Sequence, residues 1–109
     1  PTAKLKTPEF SLWEAARTGN IKAVKLLLAG GFDANTKDEG GWAPLHGASG
    51  SGQKEIVQLL LANGANVNAT ALSGKTALDY ALKAGHTETA DLLRQHGGKK
   101  RAELKTEVK

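Results

Sequence analysis

The segment Gly74-Lys75-Thr76 has residue types that could belong to a phosphate-binding loop. It matches the end of the motif Gly-x-x-x-x-Gly-Lys-Thr and stands in front of a segment compatible with a helix. The first glycine of that motif would have to be residue 69, which is alanine, and no apolar strand precedes it. Such a loop could not wrap its backbone amides around a phosphate. The sequence therefore argues against a nucleotide site.

Serine and histidine residues offer two further chemistries, and the spacing argues against both. Neither Ser49 nor Ser51 has glycine both two residues before and two residues after it, as a nucleophile elbow requires. No pair among His46, His86 and His96 has the i, i+4 spacing of a metal site on a helix. We therefore expect no catalytic residue, no metal ligand and no cofactor, and we predict that the chain is not an enzyme.

An internal repeat of 33 residues sets the elements that would position any site. Leucine recurs in the same register at Leu12, Leu45 and Leu78. Other positions keep the same spacing: Ala15, Ala48 and Ala81; Gly19, Gly52 and Gly85; Leu27, Leu60 and Leu93; Gly31, Gly64 and Gly97. A fixed period of this length indicates a repeat architecture, in which each unit buries its apolar face on its neighbour.

Six helices are predicted from apolar periodicity and from their start and stop signals. Asn20 can cap a helix, Pro44 suits a first helical turn, and the Gly30-Gly31 pair can end a helix. The predicted ranges are 8–17, 21–29, 44–50, 54–62, 76–83 and 87–95. Two long connections, 32–41 and 65–75, are rich in turn-forming residues and are interpreted as projecting, hairpin-like loops.

The start of each repeat resembles a known family motif. The segment Ala43-Pro44-Leu45-His46-Gly47-Ala48 resembles Thr-Pro-Leu-His-x-Ala, the helix-opening motif of ankyrin repeats. The third copy carries it as Thr76-Ala77-Leu78-Asp79-Tyr80-Ala81, and the resemblance covers about residues 8–98. It implies an all-α solenoid of three stacked helix-turn-helix units with two projecting hairpin-like loops. It also implies a module that binds other proteins.

One domain of 109 residues is expected, with repeats at about 8–40, 41–73 and 74–98 and a basic tail at 99–109. The positions of Ile56 and Leu61 in the fourth helix are taken by Thr89 and Arg94 in the sixth, so that one face is expected to be polar at the end of the stack. The tail is interpreted either as a frayed, charged helix or as a disordered segment, with partial order at most.

The net charge of +4 comes from the two ends of the chain. Residues 11–98 contain eight Lys or Arg residues and eight Asp or Glu residues, and the tail supplies most of the excess. Because a nucleic-acid binder gathers its cations on one face, no nucleic-acid partner is expected. No apolar run is long enough to span a membrane, and we expect a monomer. No signal-peptide pattern is present at the start, and the compartment stays open, with the cytoplasm slightly favoured. The first residue is Pro1 rather than Met, which is compatible with a processed or excised chain.

The family resemblance implies that a partner binds on the concave face formed by the loop tips and the first helix of each pair. The residues selected as partner-binding are Arg17, Glu39, Trp42, Leu72, Ser73, Lys75 and Lys83. The same mapping also includes Thr18, Gly40, Gly50, Ser51 and Ala84. Trp42 has two open interpretations: an anchor for the partner, or packing over Pro44 or the neighbouring loop. Trp13 is interpreted as a packing residue at the start of the stack.

Three functional hypotheses remain open at this stage. The first is a protein-interaction module that docks one partner on the concave face. The second is a scaffold or capping segment of a larger ankyrin-repeat protein, with no dedicated ligand of its own. The third, and the weakest, is that the basic tail docks on an anionic lipid or a nucleic acid.

Overall fold

The computed structural model describes residues 8–37 and 41–106, and within it the side chains of residues 12–37 and 41–103. The helices in this part of the chain are α1 Pro8–Thr18, α2 Ile21–Ala29, α3 Pro44–Gly50, α4 Lys54–Ala62, α5 Ala77–Lys83, α6 Thr87–Gln95 and α7 Arg101–Thr106. The ranges predicted for α2, α3, α4 and α6 agree with the structure. The helix α1 ends one residue later than predicted, and α5 begins one residue later.

Side chains at the helix starts explain these boundaries. The Ala23 amide donates to Asn20 Oδ1 over 3.1 Å, so Asn20 satisfies one of the free amides at the start of α2. Thr76 is the cap of α5 rather than its first residue, because its side chain accepts from the Asp79 amide while Asp79 accepts from the Thr76 amide. This reciprocal pair is a capping box, which fixes the direction in which the chain enters α5.

The helices form two rows that run through the stack. In one row α1 packs on α3 and α3 packs on α5, and in the other α2 packs on α4 and α4 packs on α6. Each first helix also packs on the second helix of its own pair. Five of the six leucines that share a register fill the interior and are at most 1% exposed, and they are Leu12, Leu45, Leu78, Leu60 and Leu93. The sixth, Leu27, is partly buried and packs against this core. Consecutive helix pairs therefore pack around a common core, and the predicted all-α repeat fold is confirmed.

Two asparagines join each loop to the next repeat with the same pair of hydrogen bonds. Asn35 donates from Nδ2 to the Gly64 carbonyl over 2.9 Å and accepts from the Asn66 amide over 2.7 Å. One repeat later, Asn68 donates to the Gly97 carbonyl over 3.1 Å and accepts from the Lys99 amide over 2.8 Å. Each side chain satisfies one backbone donor and one acceptor that the loops leave free.

The predicted tail contains the helix α7, whose start is attached to the third repeat. The Lys99 carbonyl accepts from Thr76 Oγ1 over 2.6 Å, and the Arg101 amide donates to Asp79 Oδ2 over 2.8 Å. Residues 101–106 are thus helical, which is the first of the two alternatives for this segment. Its order comes from hydrogen bonds to side chains of α5 and its cap, which local composition does not reveal.

The expectation of a polar outer face on α6 is correct for Arg94, which is exposed, and wrong for Thr89, which is 2% exposed. A threonine is small enough to be covered by its neighbours, and its methyl group is apolar. A polar residue at a position that is apolar in the second repeat is therefore not always at the surface. No helix in the described part of the chain is long and apolar enough to cross a membrane.

Candidate partner-binding face

The exposed surface of α1, α3 and α5, together with the tips of the loops 32–41 and 65–75, is here called the first-helix face. The 33-residue register places Arg17, Gly50 and Lys83 at equivalent positions on the three helices, near their carboxyl ends. The tip of the loop 65–75 lies at the opposite, amino-terminal end of α5, and residues 41–43 lead into the same end of α3. Most of the side chains selected from the sequence lie on this face.

Trp42 belongs to an aromatic cluster that joins the second and third repeats. Its ring lies 4.7 Å from the ring of Tyr80, centroid to centroid, at an interplanar angle of 34°. The imidazole of His46 meets both rings edge-on, at 5.9 Å from Trp42 and 5.7 Å from Tyr80. Trp42 therefore packs on the first helix of the next repeat and remains partly exposed. The ring of Trp42 thus has a packing contact with Tyr80, which neither interpretation from the sequence names.

The tip of the loop 65–75 presents an apolar side chain to solvent. Leu72 is 80% exposed, and a Cβ built on Gly41 would come within 2.9 Å of the Leu72 amide nitrogen. This close approach requires glycine at position 41, where φ is +76°. The end of the first loop and the tip of the second are thus adjacent, because Leu72 lies against Gly41, the residue before Trp42.

Ser73 and Lys75 shape this tip. The Ala71 amide donates to the Lys75 carbonyl over 3.0 Å, and the Gly74 amide donates to the Ala71 carbonyl over 2.8 Å, so the tip is a tight turn. Ser73 Oγ lies 3.3 Å from the hydroxyl of Tyr80, and either oxygen can donate. Ser73 therefore connects the loop tip to the aromatic cluster. Lys75 is half-buried.

At the other end of the face, the first and third repeats each contribute a cation. The guanidinium of Arg17 lies 5.2 Å from the ring centroid of Trp13, which is within the range of a cation–π interaction. Lys83 is exposed in the last turn of α5. The indole Nε1 of Trp13 is buried and has no hydrogen-bond partner in the described structure, and it faces Gly47 of α3. Trp13 therefore packs between α1 and α3.

His46 lies beneath the aromatic cluster and is 1% exposed. The Ala43 amide donates to its Nδ1 over 2.9 Å, so Nε2 carries the proton and donates to the Ala69 carbonyl over 3.0 Å. Burial lowers the pKa of His46 below its ordinary value, and the charge of Lys37 acts in the same direction, whereas the hydrogen bond to Ala69 opposes the shift. The neutral imidazole thus connects α3 to the following loop and is structural.

A second concavity lies beside the start of α6, away from the aromatic cluster. It has a volume of about 270 Å³ and is lined by Gly52, Lys54, His86, Thr87, Glu88 and Thr89. Lys54 Nζ lies 4.0 Å from Glu88 Oε1 across an exposed region. Within the described residues there is no group of three or more His, Cys, Asp or Glu side chains that could hold a metal ion. This hollow is open and polar and carries no recognisable chemistry.

The structure brings Trp42, Leu72, Ser73 and Lys75 together at the loop end of the face and places Arg17 and Lys83 at its far end. Glu39 lies outside the described residues. Tyr80 is not among the residues selected from the sequence, although it stacks on Trp42 and contacts Ser73. A signal was present in the sequence, because Tyr80 precedes Lys83 by three residues on α5 and residues at that spacing share a helix face.

Comparison with known proteins decides the family. The model for ankyrin repeats, in three copies, matches residues 12–103. The chain belongs to the ankyrin repeat family. Ankyrin repeats are protein-interaction modules, and membership of this family indicates a module without catalytic activity.

Individual relatives match a single stretch of this ankyrin-repeat chain. Over 42 residues it is 48% identical to protein phosphatase 1 regulatory subunit 27 of Homo sapiens, a stretch that covers 38% of this chain and 27% of that protein. Over 42 residues it is 45% identical to Protein VAPYRIN-LIKE of Medicago truncatula, covering 38% of this chain and 9% of that protein. Over 44 residues it is 43% identical to protein phosphatase 1 regulatory subunit 12A of Mus musculus, covering 40% of this chain and 4% of that protein. The match thus spans less than a third of each relative.

Proposed function

We propose that this ankyrin-repeat chain binds another protein on the first-helix face, which is the concave face of the stack. The observation that carries the proposal is an exposed apolar leucine, Leu72, in a loop tip whose next residue, Ser73, contacts Tyr80, the stacking partner of the partly exposed Trp42. Aromatic residues are enriched among the residues that dominate binding energy at interfaces, particularly where they lie in a rigid setting. The stacked pair is such a setting, because each ring limits the freedom of the other.

The names of two relatives support a role in assembly with another protein. Both are described as regulatory subunits of protein phosphatase 1. A regulatory subunit acts by associating with another polypeptide, which is the general behaviour that the family and the exposed face of this chain support.

The test compares two leucines that differ in their face and are otherwise matched. Leu72 is 80% exposed on the first-helix face, and Leu26 is 69% exposed on α2, which belongs to the other row of helices. A photo-crosslinking amino acid is placed at position 72 or at position 26, and extracts of the source organism are irradiated. We expect a discrete crosslinked protein from position 72 only, and we expect Leu72→Ala to weaken its binding while Leu26→Ala does not.

Leu72 is a sharper probe than Trp42 because its side chain contributes little to the fold. Trp42→Ala would remove the stacking on Tyr80, which costs about 1 kcal/mol of folding stability in addition to any loss of binding. A partner that crosslinks equally from positions 72 and 26, or that binds the Leu72→Ala variant normally, would exclude the proposed face.

A scaffold segment without its own ligand is the second candidate function. It is favoured by the relatives, in which the matched stretch is only 27%, 9% and 4% of the protein. It predicts that neither position 72 nor position 26 yields a crosslinked partner, while deletion of the segment from a longer parent alters the spacing or stability of the adjoining repeats.

A further inference from the structure

The helix α3 presents no side chain on its exposed surface. Its residues from Pro44 to Ser49 are buried, and its last residue, which is partly exposed, is Gly50. The helices on either side carry large side chains on the same face. These side chains are Arg17 on α1 and Tyr80 on α5. The backbone of α3 is therefore the floor of a depression between these two helices, which is partly exposed at Gly50 and is here called the α3 trough.

Gly50 is not required by the fold. Its φ is not among the positive values that demand glycine, and a Cβ built on it would meet only the Tyr80 Cβ, at an ordinary distance of 3.7 Å. Glycine within a helix costs up to about 1 kcal/mol relative to alanine. By contrast, a Cβ on Gly47 would lie 3.3 Å from the Arg17 Cβ, so that position is restricted by packing. The absence of a side chain at position 50 therefore keeps the trough open at a small cost in helix stability.

The two walls of the trough each carry an exposed cation. Arg17 lies over Trp13 on α1, and Lys83 follows Tyr80 by one helical turn on α5. The carboxylate of Asp79 lies in the first turn of α5, at the other end of this helix from Lys83, where it accepts from the Thr76 and Arg101 amides. Glu14, on the same helix as Arg17, is half-buried and has interactions of its own. The carboxyl-terminal end of the trough therefore carries two exposed cations, Arg17 and Lys83.

The opposite end of the trough is apolar and aromatic. Tyr80 extends along the wall from Gly50, near its Cβ, to Ser73, near its hydroxyl, and Trp42 stacks on its ring. The helix α3 has seven residues, so it is about 10 Å long. An extended chain advances about 3.3 Å per residue and crosses this length in roughly three residues.

From this arrangement we propose that the α3 trough binds an extended, acidic segment of the partner. An apolar side chain of that segment packs against Trp42, Tyr80 and Leu72. A carboxylate about three residues away is bound at the end of the trough that carries Arg17 and Lys83. This inference rests on the proposed function, and it adds the chemistry of the partner segment and the position in which it lies.

The first experiment determines which peptides the intact chain selects. A random peptide library displayed on phage is enriched against the immobilised full chain, and the affinity of enriched peptides is measured by fluorescence polarisation. We expect an apolar or aromatic residue and an Asp or Glu separated by about three positions. We also expect the affinity to fall as the salt concentration rises, because the charges are exposed. Enrichment of peptides that lack acidic residues, or of no peptide at all, would overturn the acidic trough.

The second experiment fills the trough without breaking the fold. Gly50→Leu adds a side chain where the structure has space, and we expect it to weaken peptide binding about tenfold or more while the melting temperature is unchanged or higher. The matched control is Ala62→Leu, which adds the same side chain to the exposed last residue of α4 in the other helix row. Normal binding by the Gly50→Leu variant would contradict the proposal.

The third experiment tests the charges with substitutions that keep most of each side chain. Arg17→Gln and Lys83→Gln are each expected to weaken binding about three- to tenfold and to reduce its salt dependence. Lys25→Gln on α2 is the control, since Lys25 is exposed in the other row of helices. If Leu72→Ala weakens binding while the Gly50 and charge variants do not, the proposed function stands and the acidic trough is excluded. If none of these variants weakens peptide binding and position 72 crosslinks no protein, both proposals fail.

Discussion

The junction that follows the second repeat and the junction that follows the third use the same register position in different ways. His46 and Asp79 are 33 residues apart, and each accepts a hydrogen bond from the amide three residues before it, which belongs to Ala43 or Thr76. Beyond this shared contact the two differ. His46 donates to the Ala69 carbonyl in the next loop, whereas Asp79 accepts from the Arg101 amide at the start of α7.

The difference shows how a repeat adapts to the segment that follows it. The amides at the start of a helix have no partner within that helix, and the helix dipole makes this end positive. A carboxylate suits such an end, whereas an imidazole N–H suits the free carbonyl of a loop. The contact within the repeat is thus retained, and the contact to the next segment changes with its chemistry. At the equivalent position in the first repeat stands Trp13, whose indole has no acceptor atom for the amide three residues before it. Trp13 packs on α3 instead.

The largest effect is expected from removing the histidine. His46→Ala leaves a cavity beneath Trp42 and Tyr80 and deprives the Ala43 amide and the Ala69 carbonyl of their partner. We expect the free energy of unfolding to fall by about 3 kcal/mol, measured by urea denaturation. If His46→Ala lost less unfolding free energy than Asp79→Ala, the junction after the third repeat would contribute more to stability than the junction after the second.

A smaller and more local effect is expected from removing the carboxylate. Asp79→Ala breaks the capping box of α5 and frees the Arg101 amide, and we expect a loss of about 2 kcal/mol. Amide hydrogen exchange in α7 should accelerate more than exchange in α3. Asp79→Asn is the control, because it keeps one acceptor oxygen and should retain part of the protection. Unchanged exchange in α7 would mean that Asp79 does not hold this helix.

The third expected effect depends on pH and separates the two junctions further. The pKa of His46 is lower in the folded chain than its ordinary value of 6.5, so the unfolded chain binds a proton more readily. The contribution of neutral His46 to the free energy of unfolding is therefore fully present above pH 6.5. It is lost as the pH falls from 6.5 through the lowered pKa of the folded chain. In His46→Gln this component should be absent, while His86 and His96 remain in both proteins. Melting temperatures measured across this range test it, and parallel curves for the two proteins would contradict it.

Much of the fold could be predicted from the sequence because its signals are local or periodic. Pro44, Asn20 and the glycine pairs define helix ends through their own backbone preferences, and the recurring leucines identify the buried positions. The candidate face could also be proposed, since the resemblance to ankyrin repeats implies the positions of Arg17, Trp42, Leu72 and Lys83 on it.

The remaining contacts depend on how distant segments are placed relative to one another. Trp42 and Tyr80 are 38 positions apart, and their stacking depends on the angle between successive repeats rather than on any local pattern. The order of α7 depends on Asp79 and Thr76, which precede it by more than twenty residues. Thr89 is buried because neighbouring helices cover it, which a polarity pattern along one helix could not reveal.

The two tryptophans can serve as intrinsic fluorescence probes of two different repeat junctions. Trp13 packs where the first repeat meets the second, and Trp42 stacks where the second meets the third, and the sequence contains no other tryptophan. The emission of each indole should respond to the separation of its own junction. Variants with a single tryptophan would therefore reveal from which end the stack begins to come apart.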